Sequence, residues 1–258
     1  MTGDQGRSDA APVDRAARAL ADVVGDSRAR RPEDGRDPTV PVAATVVIAR
    51  EGGAGPEVLM IERPDRGSFA GAWVFPGGKL DPADGDDADE ADVARRAGVR
   101  ETWEETGLRL DAASLLPLSC WDPPPGIALR IRTWFFLASD PGGELVLSAD
   151  EVISAQWVRP PDMLTRHGRG EVTLYPPTWV TLHELAEQPD AEALLAVARI
   201  GGVRRYETVA RRGSAGPVLL WPGDAAYDDG DPEADPQGAA SRHRLELATL
   251  PWVYTRTG

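Results

Sequence analysis

The sequence predicts an α/β fold, because segments of strand character and segments of helical character follow one another along its 258 residues. Residues 40–50 and 57–63 are apolar or β-branched and flank a Gly-rich turn, which predicts a pair of strands. Residues 89–106 predict a helix that ends at Gly107. An aromatic stretch at residues 127–139 predicts a buried strand.

Most of the other predicted elements follow this core. Strands are predicted at residues 144–148, 153–160, 217–224 and 243–256, and helices at residues 14–25, 176–188 and 190–202. A chain of this length predicts one core domain with appendages, with two small domains as the alternative. We expect a flexible N-terminal segment, a core domain, and an extension that packs on or beside the core domain, at residues 1–38, 39–186 and 187–258 respectively.

The composition limits the class of function. A formal net charge of −14 argues against nonspecific binding to nucleic acid or to an anionic membrane. A small polyanionic substrate stays compatible, provided that metal ions or a local basic cluster offset the repulsion. The single cysteine, Cys120, excludes an intrachain disulfide and a cysteine-rich zinc site, which fits a reducing cytoplasm. The polar N-terminus has no signal-peptide pattern, and the apolar run at residues 40–49 is too short to span a bilayer.

The stretch "RETWEETGL" at residues 100–108 places three glutamates on one helical face. Glu101, Glu104 and Glu105 repel one another there, and they lie at the negative end of the helix dipole. A solvated acidic face is the ordinary explanation, but a divalent cation would convert the repulsion into binding. Carboxylate oxygens suit Mg²⁺ or Mn²⁺, with water and phosphate oxygens completing the coordination. The "FPGG" stretch at residues 75–78 lies just upstream and lets the backbone approach a metal or a diphosphate.

Together, Gly78 and residues 100–108 resemble the Nudix box, the signature of a family of hydrolases. The resemblance implies an α/β/α sandwich with a mixed β-sheet. It also implies an enzyme that hydrolyses a nucleoside diphosphate linked to another moiety, with Mg²⁺ or Mn²⁺ as cofactor. On this basis Glu101, Glu104 and Glu105 are metal ligands and catalytic residues, and the Gly78 carbonyl is a further metal ligand.

The chain departs from the family pattern at two places. The segment of the motif that precedes Arg100 is eight residues longer than usual, so the glutamate partner of Arg100 is replaced either by Asp84, counting forward, or by Asp92, counting back. Thr102 occupies an aliphatic position and keeps one methyl group for packing. The general base is either a helix glutamate or Glu151 in a later loop, although Glu151 is equally well explained as a residue that leads into a strand.

Four further stretches resemble the coenzyme A diphosphatases of the family, in particular the peroxisomal-type branch. They lie at residues 59–78, 121–136, 174–185 and 220–227. The resemblance implies that basic residues bind the substrate phosphates, namely Arg63, Arg66, Lys79, Arg130 and Arg132. Structural explanations exist as well, since Arg63 precedes a proline in a turn, and Arg130 and Arg132 alternate as on a strand with one wet face. Trp121 either stacks on the adenine or caps the core.

The predicted substrate is therefore CoA or an acyl-CoA, cleaved to 3',5'-ADP and (acyl-)4'-phosphopantetheine. ADP-ribose, NADH, dinucleoside polyphosphates and oxidised dNTPs contain the same type of bond and form the alternative. A third hypothesis is a non-catalytic Nudix ligand sensor, but such proteins usually lose box glutamates that this chain keeps. The expected partner is a small nucleotide diphosphate, with no nucleic acid and no membrane, and the family resemblance allows a homodimer.

Overall fold

The computed structural model describes Val24 and residues 27–67, 69–86, 89–128, 130–228, 231–233 and 240–257. Eight strands in this part form the main sheet: β1 (Val42–Gly52), β2 (Gly55–Glu62), β3 (Trp73–Val74), β4 (Gly77–Lys79), β5 (Leu116–Asp122), β6 (Arg132–Ser139), β7 (Ser154–Val158) and β8 (Arg204–Glu207). A second sheet contains β9 (Val209–Arg212), β10 (Pro217–Leu220), β11 (His243–Glu246) and β12 (Val253–Arg256). The helices with both ends in the described part are α1 (Glu90–Thr106), α2 (Pro160–Gly168), α3 (Pro176–Leu185) and α4 (Ala191–Gly201).

The main sheet is mixed. Its strands follow the order β3-β2-β1-β6-β5-β8, with β4 beside β1 and β7 beside β2. β1 runs parallel to β6 and β5 runs parallel to β8, whereas the other neighbours are antiparallel. The register of β1 and β6 pairs Ala43 with Thr133 and Thr45 with Phe135, so these four side chains share one face.

Helices cover both faces of the main sheet. Helix α1 packs on one face, where Ala97 and Val46 belong to the same apolar cluster. Gly98 allows this close approach, because a Cβ there would lie 3.0 Å from Val46 Cγ2. On the opposite face, Leu194 of α4 is buried in a cluster with Val47 of β1. Burying each large apolar side chain stabilises the fold by about 1.5–3 kcal/mol. The arrangement is the predicted α/β/α sandwich.

The chain after residue 187 contributes to both sheets. β8 extends the main sheet beside β5, and β9 to β12 form the antiparallel second sheet. Trp121 of β5 stacks on Tyr206 of β8 with 3.7 Å between the ring centroids, and Trp221 meets both rings at nearly right angles. Trp121 is only 4% exposed. It therefore belongs to the core, in line with the second of its two explanations, and is not accessible to an adenine.

The described part of the N-terminal segment contacts the core. The backbone N–H of Arg28 donates to Pro125 O at 3.1 Å, and Arg30 Nη1 donates to Pro123 O at 3.3 Å. Asp34 is buried and accepts two hydrogen bonds from the Arg28 guanidinium. Residues 27–38 are thus held by hydrogen bonds. The helix predicted at residues 14–25 lies outside the described residues, apart from Val24.

The helix predicted at residues 89–106 is confirmed. Asp89 is its N-cap, where its carboxylate accepts from the N–H of Ala91 at 2.9 Å. Gly107 ends it in a left-handed conformation, with φ of 74°. None of the described helices is both long enough and apolar enough to cross a membrane.

Three strand predictions need correction. The strand predicted at residues 144–148 is wrong, because the N–H groups of Val146 and Ser148 donate to the last carbonyl groups of α1 rather than to a sheet. The strand predicted at 127–139 begins only with β6 at Arg132. Residues 243–256 form two antiparallel strands, β11 and β12, rather than one.

Candidate active site

Strand β4 and helix α1 bring a glycine-rich backbone against two glutamates. The N–H of Gly77 donates to Glu105 Oε2 at 2.8 Å. A Cβ at Gly78 would collide with the carboxylate of Glu101, and a Cβ at Gly77 would collide with the backbone of Ala44. Only glycine fits at Gly77, and a side chain at Gly78 would displace the Glu101 carboxylate from the backbone.

Glu101 and Glu105 lie one helical turn apart and line one cavity of about 450 Å³. This volume is typical of a site for a small molecule. Glu105 is nearly inaccessible, with 1% of its surface exposed. Glu104 lies beside them on the helix, but its side chain is 41% exposed and does not line the cavity.

Charged and apolar side chains share the lining of this cavity. The charged residues are Arg63, Arg66, Lys79, Glu101, Glu105 and Glu151. The apolar and aromatic residues include Phe69, Val74, Phe75, Ile131, Phe135, Tyr175 and Pro177. The site predicted around the glutamates thus also contains three of the five predicted phosphate-binding residues and the predicted loop acid.

Arg100 connects helix α1 to the segment that precedes it. Its Nε and Nη2 donate to the carboxylate of Asp84 at 3.0 and 2.9 Å. Only Nη1 is directed at the acidic face, where it donates to Glu101 at 2.8 Å and to Glu104 at 3.0 Å. The carboxylates of Glu101 and Glu104 therefore share one guanidinium nitrogen, and the acidic face of α1 keeps an excess of negative charge.

Asp84 takes the place of the first glutamate of the box. Its side chain is buried, which by itself would raise its pKa. The hydrogen bonds from Arg100 and from the N–H of Asp81 outweigh burial and hold the pKa below its ordinary value. Asp92, the other candidate, pairs with Arg95 on the exposed side of the helix at 2.6 Å.

The two arginines that precede the box contact acidic elements of the site. Arg63 Nη1 donates to Glu105 Oε1 at 3.2 Å. Arg66 Nη2 donates to the carbonyl oxygen of Asp150 at 2.6 Å, which joins its loop to the loop that carries Glu151. Both arginines therefore hold their positive charge at the cavity.

Arg130 and Arg132 do not belong to this site. Arg130 Nη1 pairs with Asp37 at 2.9 Å. Arg132 is buried, and its Nε donates to Asp122 at 2.6 Å and its Nη1 to Glu90 at 3.0 Å. The cavity is lined by Thr133 and Phe135 of β6 and by Ile131 just before it, whereas the even-numbered residues of the strand lie on the opposite face. The prediction that these arginines bind phosphate is corrected accordingly.

Comparison with known proteins identifies the family. The profile of the NUDIX domain matches residues 39–177, which is more than half of the chain. The chain belongs to the Nudix hydrolase family. This assignment confirms the predicted family, the α/β fold and the enzyme class, a hydrolase of diphosphate bonds.

Solved Nudix structures are similar to this chain. A NUDIX hydrolase from Alicyclobacillus acidocaldarius is 27% identical with a TM-score of 0.54, over 61% of this chain and 96% of that one. The NUDIX domain of Shewanella oneidensis NrtR, complexed with ADP ribose, is 17% identical with a TM-score of 0.45, over 60% and 90% of the two chains. An Ap4A hydrolase from C. elegans is 22% identical with a TM-score of 0.40, over 61% and 98%.

The electrostatics of the Nudix site fit a divalent cation. Burial raises the pKa of Glu105 to about 7, and the charges of Glu101 and Glu151 act in the same direction. Burial also raises the pKa of Glu101, assisted by Glu104 and Glu151. In the described part of the chain, no three His, Cys, Asp or Glu side chains converge as a complete ligand set. Mg²⁺ commonly takes only one or two carboxylates, with water and substrate phosphates as its other ligands, so the oxygen donors at Glu101, Glu105 and Gly78 suit it.

The aromatic part of the site was not predicted from the sequence. Phe69, Tyr175, Pro177 and Thr178 line the same cavity as the acidic residues of α1 and were not predicted as site residues. A signal was present, because residues 174–185 resemble a segment of the CoA diphosphatase branch. Its position at the cavity depends on the fold, where Ala72 pairs with Thr173, two residues before Tyr175.

Proposed function

We propose that this Nudix hydrolase cleaves the diphosphate linkage of CoA or an acyl-CoA and releases 3',5'-ADP and (acyl-)4'-phosphopantetheine. Mg²⁺ or Mn²⁺ is held by Glu101, Glu105 and the Gly78 carbonyl, with Glu104 next to them on the helix. The observation that carries the proposal is a single cavity in which acidic residues for a cation and basic residues for phosphate lie side by side.

The basic residues of the cavity support a substrate with several phosphate groups. Arg63, Arg66 and Lys79 line it, and CoA carries a 3'-phosphate in addition to its diphosphate. Part of the charge of Arg63 is already balanced by Glu105. Residues 174–185, one of the stretches that resemble the CoA diphosphatases, also contribute to the cavity wall, which favours the CoA branch over other Nudix substrates.

The residues of the chain have separate tasks in this mechanism. When bound, the cation polarises the phosphoryl oxygens and lowers the pKa of the attacking water. Arg63 and Lys79 hold the diphosphate in place. Glu151 lines the cavity and accepts no hydrogen bond from the part of the protein that the structure describes, so we assign it as the general base. It accepts the water proton as the water oxygen bonds to one phosphorus and the bond from that phosphorus to the bridging oxygen breaks.

Mass spectrometry of the products tests this function. The purified protein is incubated with Mg²⁺ and, separately, with CoA, an acyl-CoA, ADP-ribose, NADH, a dinucleoside polyphosphate and 8-oxo-dGTP. Glu105→Gln serves as the blank, and Glu187→Gln, which changes an exposed glutamate, serves as the matched control. Release of 3',5'-ADP and 4'-phosphopantetheine from CoA supports the proposal. Cleavage of another compound alone rejects CoA, and no cleavage at all favours the ligand sensor.

A cytoplasmic location and a homodimer complete the proposal. The single cysteine, Cys120, is buried and unpaired, which is compatible with a reducing compartment. Light scattering coupled to size-exclusion chromatography measures the mass of the protein in solution. A mass equal to that of one 27.6 kDa chain would reject the homodimer.

A further inference from the structure

Two aromatic side chains form a corner in the cavity wall. Phe69 lies in the loop between β2 and β3, and Tyr175 lies immediately before α3. Their ring centroids are 4.7 Å apart and their planes meet at 86°. Both residues line the cavity that also contains Glu101 and Glu105. We call this pair the aromatic corner.

The backbone of Phe69 is held in an unusual conformation. Its φ of 61° is the only positive value for a non-glycine residue in the described part of the chain. A bulky residue in this left-handed region is strained. The carbonyl of Phe69 accepts from the N–H of Ala72 at 3.1 Å, and the N–H of Gly71 donates to Pro64 O at 3.2 Å. Backbone hydrogen bonds therefore hold the loop in this conformation, which places Phe69 at the cavity.

The surroundings of the aromatic corner suit a planar ring with a polar edge. Apolar side chains such as Ile131 line the cavity. The Thr45 hydroxyl is occupied, because it donates to Pro76 O at 2.9 Å. Thr133 and Thr178 also line the cavity and carry hydroxyl groups that are able to bind heteroatoms. Two rings at right angles offer a face for stacking and a second ring for an edge contact.

We propose that Phe69 and Tyr175 determine specificity by binding the nucleobase of the substrate. The base stacks at the aromatic corner while its phosphates extend toward the basic and acidic residues of the same cavity. The inference rests on the proposed function only in that the phosphates are placed at those residues. It makes no use of the identity of the moiety on the other side of the diphosphate.

Binding of small phosphates tests the aromatic corner without catalysis. Isothermal titration calorimetry compares AMP, GMP, CMP and UMP with ribose 5-phosphate, which lacks only the base. The variant Phe69→Asn removes the ring, and asparagine tolerates a positive φ, so the loop keeps its conformation. Phe69→Tyr keeps the ring and serves as the matched control. Thermal unfolding of each variant verifies that the fold is intact.

The wild type should bind at least one nucleotide more tightly than ribose 5-phosphate. Phe69→Asn should weaken the binding of that nucleotide about 10-fold, as the loss of one base–aromatic stack predicts, and leave the affinity for ribose 5-phosphate unchanged. Tyr175→Leu should cause a similar selective loss, whereas Phe69→Tyr should bind like the wild type. Equal losses for the nucleotide and ribose 5-phosphate, an unchanged nucleotide affinity, or a wild type that does not discriminate between them would each overturn the proposal. A failure to hydrolyse CoA would reject the proposed substrate but not this result.

Discussion

Replacing Asp84 with asparagine tests how much the ion pair between Arg100 of α1 and Asp84 stabilises the fold. The buried Asp84 carboxylate accepts two hydrogen bonds from Arg100 at 3.0 and 2.9 Å and one from the N–H of Asp81 at 2.7 Å. Breaking a buried ion pair costs about 3–5 kcal/mol. The Arg100 side chain is 25% exposed, and asparagine keeps one acceptor oxygen, so the loss is smaller here. We expect Asp84→Asn to lower the free energy of unfolding by about 2–3 kcal/mol.

Urea unfolding at pH 7, followed by tryptophan fluorescence, measures this loss. Asp92→Asn is the matched control, because Asp92 was the other candidate partner of Arg100. Asp92 is exposed and pairs with Arg95 three residues later on the helix, a contact worth about 0.2–0.5 kcal/mol. Equal losses in the two variants, or a larger loss in Asp92→Asn, would refute the assignment of Asp84.

The pH dependence provides a second test of the same ion pair. The pKa of Asp84 is lowered in the folded protein, since its hydrogen bonds with Arg100 outweigh its burial. The stability from this pair is therefore fully present above the unfolded-state pKa of about 3.9 and is lost as the pH falls through the folded-state pKa. The difference in stability between the wild type and Asp84→Asn should shrink below a pH of about 4.

Four further changes have specific expected outcomes. Glu105→Gln should keep the fold, as judged by circular dichroism, and lower kcat by about 100-fold or more, because a cavity carboxylate is lost. Arg66→Gln should raise KM for a diphosphate substrate about 10-fold, whereas Arg130→Gln, outside the cavity, should change KM less than about twofold. Thr102→Val should raise the free energy of unfolding by about 1 kcal/mol, because the buried Thr102 hydroxyl has no hydrogen-bond partner among the described residues. Burial lowers the pKa of His167 to about 4, so the wild type should lose stability as the pH falls from about 6.5 to about 4, and His167→Phe should remove that loss in acid unfolding curves.

The local motifs were predictable because their physical signals are short in range. The helix at 89–106 has its N-cap, its glutamate face and its terminal glycine within one segment, and all three appear in the structure. β5 at Leu116–Asp122 was missed, because Pro117 interrupts it and it shows no alternation. α2 at Pro160–Gly168 was also missed, because it begins with two prolines and is short and polar. These elements form through tertiary packing rather than local propensity.

Glu104, a predicted metal ligand, does not line the cavity, whereas the other three predicted acidic residues and three of the five predicted basic residues do. Arg63 and Arg66 lie next to the box in the sequence and remain close to it in the fold. Arg130 and Arg132 lie on a strand, where alternation shows that two faces differ but not which of them meets the substrate. That choice depends on the pairing of β6 with β1, which no local pattern reveals.

The eight extra residues in the box fall between two parts of the site that keep their spacing. Asp84 is the sixth residue after Gly78, as the family pattern requires, and Arg100 binds Asp84. The additional residues therefore occupy positions 85–92, of which residues 90–92 belong to the first turn of α1. The entropic cost of closing a loop rises by only about 0.6 kcal/mol for each doubling of its length, so the eight added residues cost little stability.

The eight added residues also explain why Arg132 is not a phosphate ligand. Glu90, in the first turn of α1, lies within the added residues and accepts hydrogen bonds from Arg132 Nη1 at 3.0 Å and from Trp134 Nε1 at 2.8 Å. These contacts fasten the lengthened helix start to β6. Arg132 also donates to the buried Asp122, so its charge is compensated within the core. Releasing it toward a substrate would leave the buried Asp122 with only the longer contact to Arg30 at 3.8 Å, a cost of several kcal/mol that no phosphate contact on the opposite face of the sheet would offset.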